Sequence, residues 1–139
     1  MMVDLVVFPD TTELGRRILL QELAPRGYAD VPVGEKVPSP LPKRFIRFYT
    51  LPGREICRRT QWVQTITQVY GDDEMWCQRL AGVCGAILRA APDIVVDGEQ
   101  LVSEPCEMHG PFPTQDPELP SFERFQVNNT WTVQSSVIP

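Results

Sequence analysis

Four prolines fall between Val31 and Pro42, in "VPVGEKVPSPLP", just ahead of the apolar and basic run "KRFIRF". No other feature restricts the fold as sharply. Proline fixes φ at about −65° and lacks an N–H, which excludes this stretch from a helix interior and from the middle of a sheet. Val31, Val33, Val37 and Leu41 make it too apolar for a solvated linker. The segment is expected to lie extended against something, either its own domain or a neighbouring subunit. Five more prolines lie between Pro105 and Pro120, so nine of the chain's 14 prolines sit in two stretches. Proline therefore marks two loops, over residues 27–43 and 105–121, and is not a sign of general disorder.

The remaining residues show clear periodicities. Asp10 is a helix N-cap with Glu13 three residues on, and Leu14, Ile18, Leu19 and Leu23 form an apolar stripe that Pro25 and Gly27 end. "RFIRFYTL", Arg44–Leu51, and "QWVQTITQVY", Gln61–Tyr70, read as strands, with a type II turn at Pro52-Gly53 expected between them. The second strand has a β-branched face of Val63, Thr65, Thr67 and Val69, and an opposite face carrying Trp62, Ile66 and Tyr70. Both faces are expected to be at least partly covered. Gly71–Pro92 holds the clearest helix, capped by Asp72 or Asp73, with Trp76, Leu80, Val83, Cys84, Ile87, Leu88 and Ala91 at helical spacing. Beside this stripe run Ala81, Gly82, Gly85 and Ala86. A mid-helix glycine costs about 1 kcal/mol relative to alanine, so close packing is expected there. Asp97-Gly98 signals a tight turn between short strands. "RFQVNNTWTV" alternates, with Phe125, Val127, Trp131 and Val133 on one side and Asn129 the lone polar member of that series. Helix, loop, two strands, helix and further strands make a single α+β domain over residues 1–139, a mostly antiparallel sheet with two helices packed on one face.

Charge is unevenly distributed. The formal net charge is −5, the wrong sign for a protein that grips a nucleic-acid backbone. Lys36 to Arg59 contains seven basic residues and one acid, Glu55, whereas Asp93 to Glu123 contains eight acids and no lysine or arginine. These segments are either neighbours within one fold or complementary patches on different subunits. No apolar run approaches the ~20 residues of a membrane span. The opening residues lack the basic start of a signal peptide, so synthesis inside the cell is expected. Cys57, Cys77, Cys84 and Cys106 show neither CxxC nor zinc spacing and read as free thiols.

Reactive chemistry is sparse. The one histidine, His109, follows Cys106 by three residues, the only arrangement that suggests a thiol nucleophile or half a metal site. No phosphate-binding glycine loop, GxSxG or HExxH is present. Trp62, Trp76 and Trp131 fit a core better than a base-stacking platform. A protein that works through its surfaces, with no catalytic residue, metal or cofactor, is the expectation; a small Cys106/His109 enzyme is the rival.

Several of these segments resemble one family. "VPVGEKVPSPLPKRFIR", Val31–Arg47, is similar to the pattern Val-Pro-Val-Gly-x-x-Val-Pro-x-Pro-x-Pro-x-Arg-Phe-Val-Arg of tail terminator proteins from siphovirus-type phages of actinobacteria, with Ile46 at the usual valine. "VVFPD" resembles the family's opening, "RRTQWVQTITQVYGDDEMWCQRLA" its strand-then-helix unit, and Gly110, Pro111, Asp116, Pro117, Pro120 and Phe125 its later proline segment. The chain departs from the family in "PSFERF", where a shorter Pro-Arg-Tyr is usual, and in its ending "QSSVIP". The resemblance implies an α+β subunit of a hexameric ring on the head-proximal end of the tail tube. Such a ring stops tube growth and meets the head–tail connector. The implied partners are further copies of the chain, the major tail tube protein and a connector or stopper protein. The resemblance further implies that DNA passes through the lumen without specific binding and that no membrane takes part. A head-completion or connector protein is the alternative in the same assembly. The residues expected at subunit or partner contacts are Val31, Val33, Val37, Pro38 and Pro40 of the arm, Arg44, Arg47 and Arg58 of the basic segment, and Glu104, Glu107, Asp116 and Glu118 of the acidic one.

Overall fold

The capping chemistry starts both helices where expected. In the computed structural model, which describes residues 2–138, the Glu13 N–H donates to Asp10 Oδ1 at 3.1 Å and α1 runs Thr11–Leu23. A short 3-10 turn at Ala24–Arg26 ends it, closed by Gly27 at φ 92°. Asp73, not Asp72, caps α2, Glu74–Arg89, through the Met75 N–H. Asp72 instead accepts from Arg44 Nε at 3.1 Å, and that hydrogen bond holds its carboxyl below the usual range.

The strands are β1 (Leu5–Val7), β2 (Val33–Gly34), β3 (Phe45–Thr50), β4 (Arg54–Cys57), β5 (Thr60–Gly71), β6 (Val102–Thr114), β7 (Glu123–Gln134) and β8 (Ser136–Ile138). The main sheet has the order β2-β3-β5-β7-β6, with β4 also on β5 beside β3. Only β2–β3 is parallel. β1 and β8 form a separate two-stranded antiparallel ribbon. Both helices pack on one face of the sheet, so the α+β reading holds. The core lies between them, from Ile18, Leu19 and Leu23 of α1 and Leu80, Cys84 and Leu88 of α2 to Val63, Val69, Val127 and Trp131 of the sheet.

Four expectations change. The hairpin turn lies at Arg58-Arg59, not at Pro52-Gly53: β3 and β4 are successive stretches on the same side of β5, and Leu51 to Gly53 is only a break between them. Within residues 105–121, the stretch to Thr114 belongs to β6, an edge strand whose register shifts twice, and only 115–121 stays loop. An edge strand with bulges is where a sheet tolerates proline. Within residues 27–43, Val33 and Gly34 pair with Ile46 and Arg47. Asp97-Gly98 is a tight turn as expected, with φ of 51° and 76°, but it joins a single Val96–Glu99 pairing and no short strands. Two successive positive φ values are the mark of a type I′ turn, which is why Asp-Gly serves there.

The two helix glycines differ in kind. A Cβ at Gly85 would stand 2.6 Å from Met108 Cε and 2.7 Å from Val127 Cγ2, so this glycine lets α2 press onto the sheet. At Gly82 the nearest neighbour would be Pro111 Cγ at 4.0 Å. Gly82→Ala is therefore expected to stabilise by up to about 1 kcal/mol through helix propensity. Gly85→Ala should destabilise, because overpacking costs about 1–3 kcal/mol against a branched side chain on a central strand. Urea unfolding of the two variants checks the opposite signs.

Candidate assembly interface

The two loops behave differently. Val31 and Val33 are buried in the domain's own core, and Ile46 N–H donates to Pro32 O at 2.8 Å. The arm is thus anchored through its first half. Beyond Gly34 it turns outward: Val37, Pro40 and Leu41 are exposed and Pro38 is half-buried. Of the residues expected at subunit contacts, Val31 and Val33 place their side chains in the core of their own domain, while Val37, Pro38 and Pro40 lie at the surface.

The second loop is clamped to its own chain. Tyr70 stacks on Phe45 with ring centroids 4.4 Å apart, and Phe122 meets both rings edge-on. The Tyr70 hydroxyl donates to Asp116 Oδ2 at 2.9 Å. Arg124 completes the clamp, donating to Thr114 Oγ1 at 2.8 Å, Gln115 O at 2.7 Å and the Tyr70 oxygen at 3.1 Å. Asp116, expected at a subunit contact, is instead an internal anchor; Glu118 stays exposed in the same loop. The Tyr70 hydrogen bond first, with the Arg124 charge adding to it, holds the Asp116 carboxyl below its ordinary 3.8. A depressed carboxylate stabilises the fold above its unfolded pKa, and that contribution is lost as pH falls through the folded value. Wild-type protein should therefore lose more stability between neutral pH and about pH 3 than Asp116→Asn does. Asp116→Asn itself should cost about 1.5–3 kcal/mol at pH 7, since it weakens hydrogen bonds to a charged group. Denaturant melts at the two pH values decide this.

Charge follows the sheet. The basic segment forms β3, β4 and the connection leading to β3, all at one edge, whereas Glu104 and Glu107 stand exposed on β6 at the other. β5 and β7 lie between, three strand spacings or about 14 Å in all. The basic side chains are not equivalent. Arg44 is held by Asp72 and lies 4.3 Å over the Trp76 ring, and Arg47 Nε donates to Glu35 O at 3.3 Å. Arg58 and Arg59, at the exposed β4–β5 turn, have no ion-pair partner among the described residues.

Two features escaped the sequence reading. Trp62, expected in the core, is 49% exposed beside Ile56 at 55%. It lies on the sheet face away from the helices, where its neighbours are the polar Gln64 and Thr132. The alternation of Trp62 with Gln64 is a signal that could have found it. Further along this face, Gln68 donates to Gln126 at 3.0 Å and Gln126 to Asn128 at 3.0 Å, a chain of uncharged amides. The ribbon of β1 and β8 is the second feature.

Cys106 and His109 project from opposite faces of β6. The half-buried Cys106 thiol packs toward the core, donates to Ser103 O at 3.3 Å, and has its pKa raised by burial. His109 is exposed on the other face, 3.6 Å from Glu107. All four cysteines are free thiols. Among the described residues no three His, Cys, Asp or Glu side chains converge as a metal site, and no helix is long and apolar enough to cross a membrane. Compared with protein-family models and with curated proteins, the chain matches none.

Proposed function

We propose that this protein is a structural subunit that closes into a ring, a hexamer, on the head-proximal end of a siphovirus-type tail tube, ending tube growth and offering the surface for head–tail joining. The observation that carries this reading is the separation of exposed charge across the sheet, with Arg54 on the edge strand β4 and Arg58 and Arg59 in the turn at its end, and Glu104 and Glu107 on β6 at the other edge. A ring needs two unlike, complementary patches on each chain, because head-to-tail contacts either close or grow without limit. Opposite edges of one sheet supply such patches facing away from each other. The resemblance of Val31–Arg47 to the tail terminator arm adds to this, as does the exposed outer half of that arm. An extended proline-stiffened segment loses less entropy on docking than a flexible one. The net charge of −5 suits a lumen through which DNA slides without sticking.

Negative-stain imaging of the purified protein mixed with isolated tail tubes tests the reading. A ring at one end of headless tubes, and none on tailless heads, is expected. Binding to heads alone would move the assignment to a head-completion or connector protein. Solitary particles that ignore tube ends would overturn it.

A further inference from the structure

The ribbon is the part of the molecule that the domain's own packing explains least. Among the described residues β1 and β8 pair only with each other, through Leu5–Ile138, Val6–Val137 and Val7–Ser136. A two-stranded ribbon alone in water is marginal at best. Yet Leu5, Val7, Val137 and Ile138 are each about half exposed, between 45% and 57%. Asp4 is the only charged residue in 2–8 and 136–138. The ribbon leaves the sheet at Ser135, whose N–H donates to Arg59 O at 2.9 Å.

A second feature matches it. All four residues of β4 are exposed; one side of the strand pairs with β5 and the other has no strand partner among the described residues. Natural sheets blunt such edges. At the far edge β6 carries Pro105, Pro111 and Pro113 and two register shifts, so it cannot add a regular strand. β2 is two residues long and follows Pro32. The edge of β4 contains no proline and a single register shift, between Glu55 and Cys57, and Ile56 and Trp62 stand exposed along it with Arg54 beside them.

We propose that the β1–β8 ribbon of one copy adds as a strand to the outer edge of β4 in a second copy of this chain. Backbone hydrogen bonds supply the affinity of such an addition, and alternate side chains the choice of partner. Leu5 and Val7 cover Ile56 and Trp62, and Asp4 meets Arg54. One donor ribbon and one receiving edge per chain make a head-to-tail contact, so the inference rests on the ring reading and names a contact within it. The β6 acids can approach the neighbour's Arg58 and Arg59 through side chains, but the prolines leave strand addition to the ribbon.

The test uses full-length chains. Cysteine is placed in turn at Leu5, Val7 and Val137 in a chain carrying Cys57→Ser and Cys106→Ser. Each is mixed with a Cys106→Ser chain of different mass that keeps the exposed Cys57. Mild oxidation should give a mixed-mass disulfide in at least one pairing. Leu5→Asp with Val7→Asp, and separately Ile56→Asp, should each raise the concentration needed for ring assembly about tenfold or more. Protomer melting should not change, since these side chains lie outside the core. Rings that assemble as wild type with both variants, or no mixed disulfide at any position, would overturn the ribbon contact and leave the ring reading standing. Cross-linking to tube protein in place of a second copy would also overturn it. Wild-type protein that stays monomeric both free and on tubes would overturn both.

Discussion

Trp131→Ala is expected to lower the unfolding free energy by about 3–5 kcal/mol, the range for removing a large aromatic from a packed core. A domain of this size is held by about 5–15 kcal/mol in all, so the variant should melt far below wild type or fail to accumulate. The indole is fully buried on β7 between both helices: it lies 6.5 Å from the Phe48 ring, under Gly15 of α1, and its Nε1–H donates to Leu88 O of α2 at 2.7 Å. That last bond has a local cause. A helical carbonyl at position 88 would normally accept from the N–H four residues on, but residue 92 is Pro92, which has none. Trp131→Phe separates the two contributions. It keeps most of the apolar contact and leaves the carbonyl without the indole, and should cost about 1–3 kcal/mol. Chemical denaturation of both variants gives the ordering; an alanine variant as stable as the phenylalanine one would mean the packing had been misjudged.

Much of this architecture is legible in the amino-acid order, for physical reasons that differ along the chain. Helix starts were readable because Asp10 and Asp73 satisfy orphan N–H groups locally, within two or three residues. β7 was readable because one face is dry and the other wet, which forces strict alternation from Phe125 to Val133. Asp97-Gly98 was readable because few other residues accept positive φ twice in succession. The Arg58-Arg59 turn was not, because neither residue carries a turn signature; its position follows from the long pairing of β5 with β7 and with β3. Nor was β6, where Pro105, Pro111 and Pro113 looked like loop residues although an edge strand with bulges admits them. The ribbon brings residues 5–7 against 136–138, a contact between distant segments that no local pattern encodes. For the candidate interface the same division applies. Segregation of charge was visible in the sequence, but which charges stay exposed depends on tertiary pairing, as Asp116 on Tyr70 and Arg44 on Asp72 demonstrate.

That difference between consumed and exposed charges directs the second large effect. Arg58→Glu with Arg59→Glu should abolish ring formation at concentrations where wild type assembles, while leaving the protomer's stability within about 0.5 kcal/mol. Both arginines sit on an exposed turn without an ion-pair partner among the described residues, so reversing them disturbs no internal bond of their side chains. Reversal at Arg44 would be a poorer test, because it also breaks the link to Asp72 and the stacking on Trp76 at the start of α2. Juxtaposed like charges cost several kcal/mol across an interface, and every 1.4 kcal/mol or so is tenfold in concentration. A second chain carrying Glu104→Lys and Glu107→Lys should fail alone for the same reason. Mixed with the first, it restores complementary pairing at every contact of an alternating ring: the acidic turn of one chain meets the lysines of the other, and the arginines of that other chain meet the unaltered glutamates of the first. Mixed rings of even number, a hexamer among them, should therefore be recovered when the two single-edge variants are combined, alternating around the ring, whereas neither variant closes a ring alone. Screening adds an independent reading, since the Debye length is about 10 Å at 0.1 M salt and about 3 Å at 1 M. Wild-type assembly should weaken as salt rises, and a chain with both edges reversed, complementary to itself once more, should assemble with the same salt dependence. Native mass measurement at low and high salt reads every one of these outcomes. Rings of Arg58→Glu/Arg59→Glu that form as readily as wild type at both salt concentrations would remove the two charged edges as the means of closure.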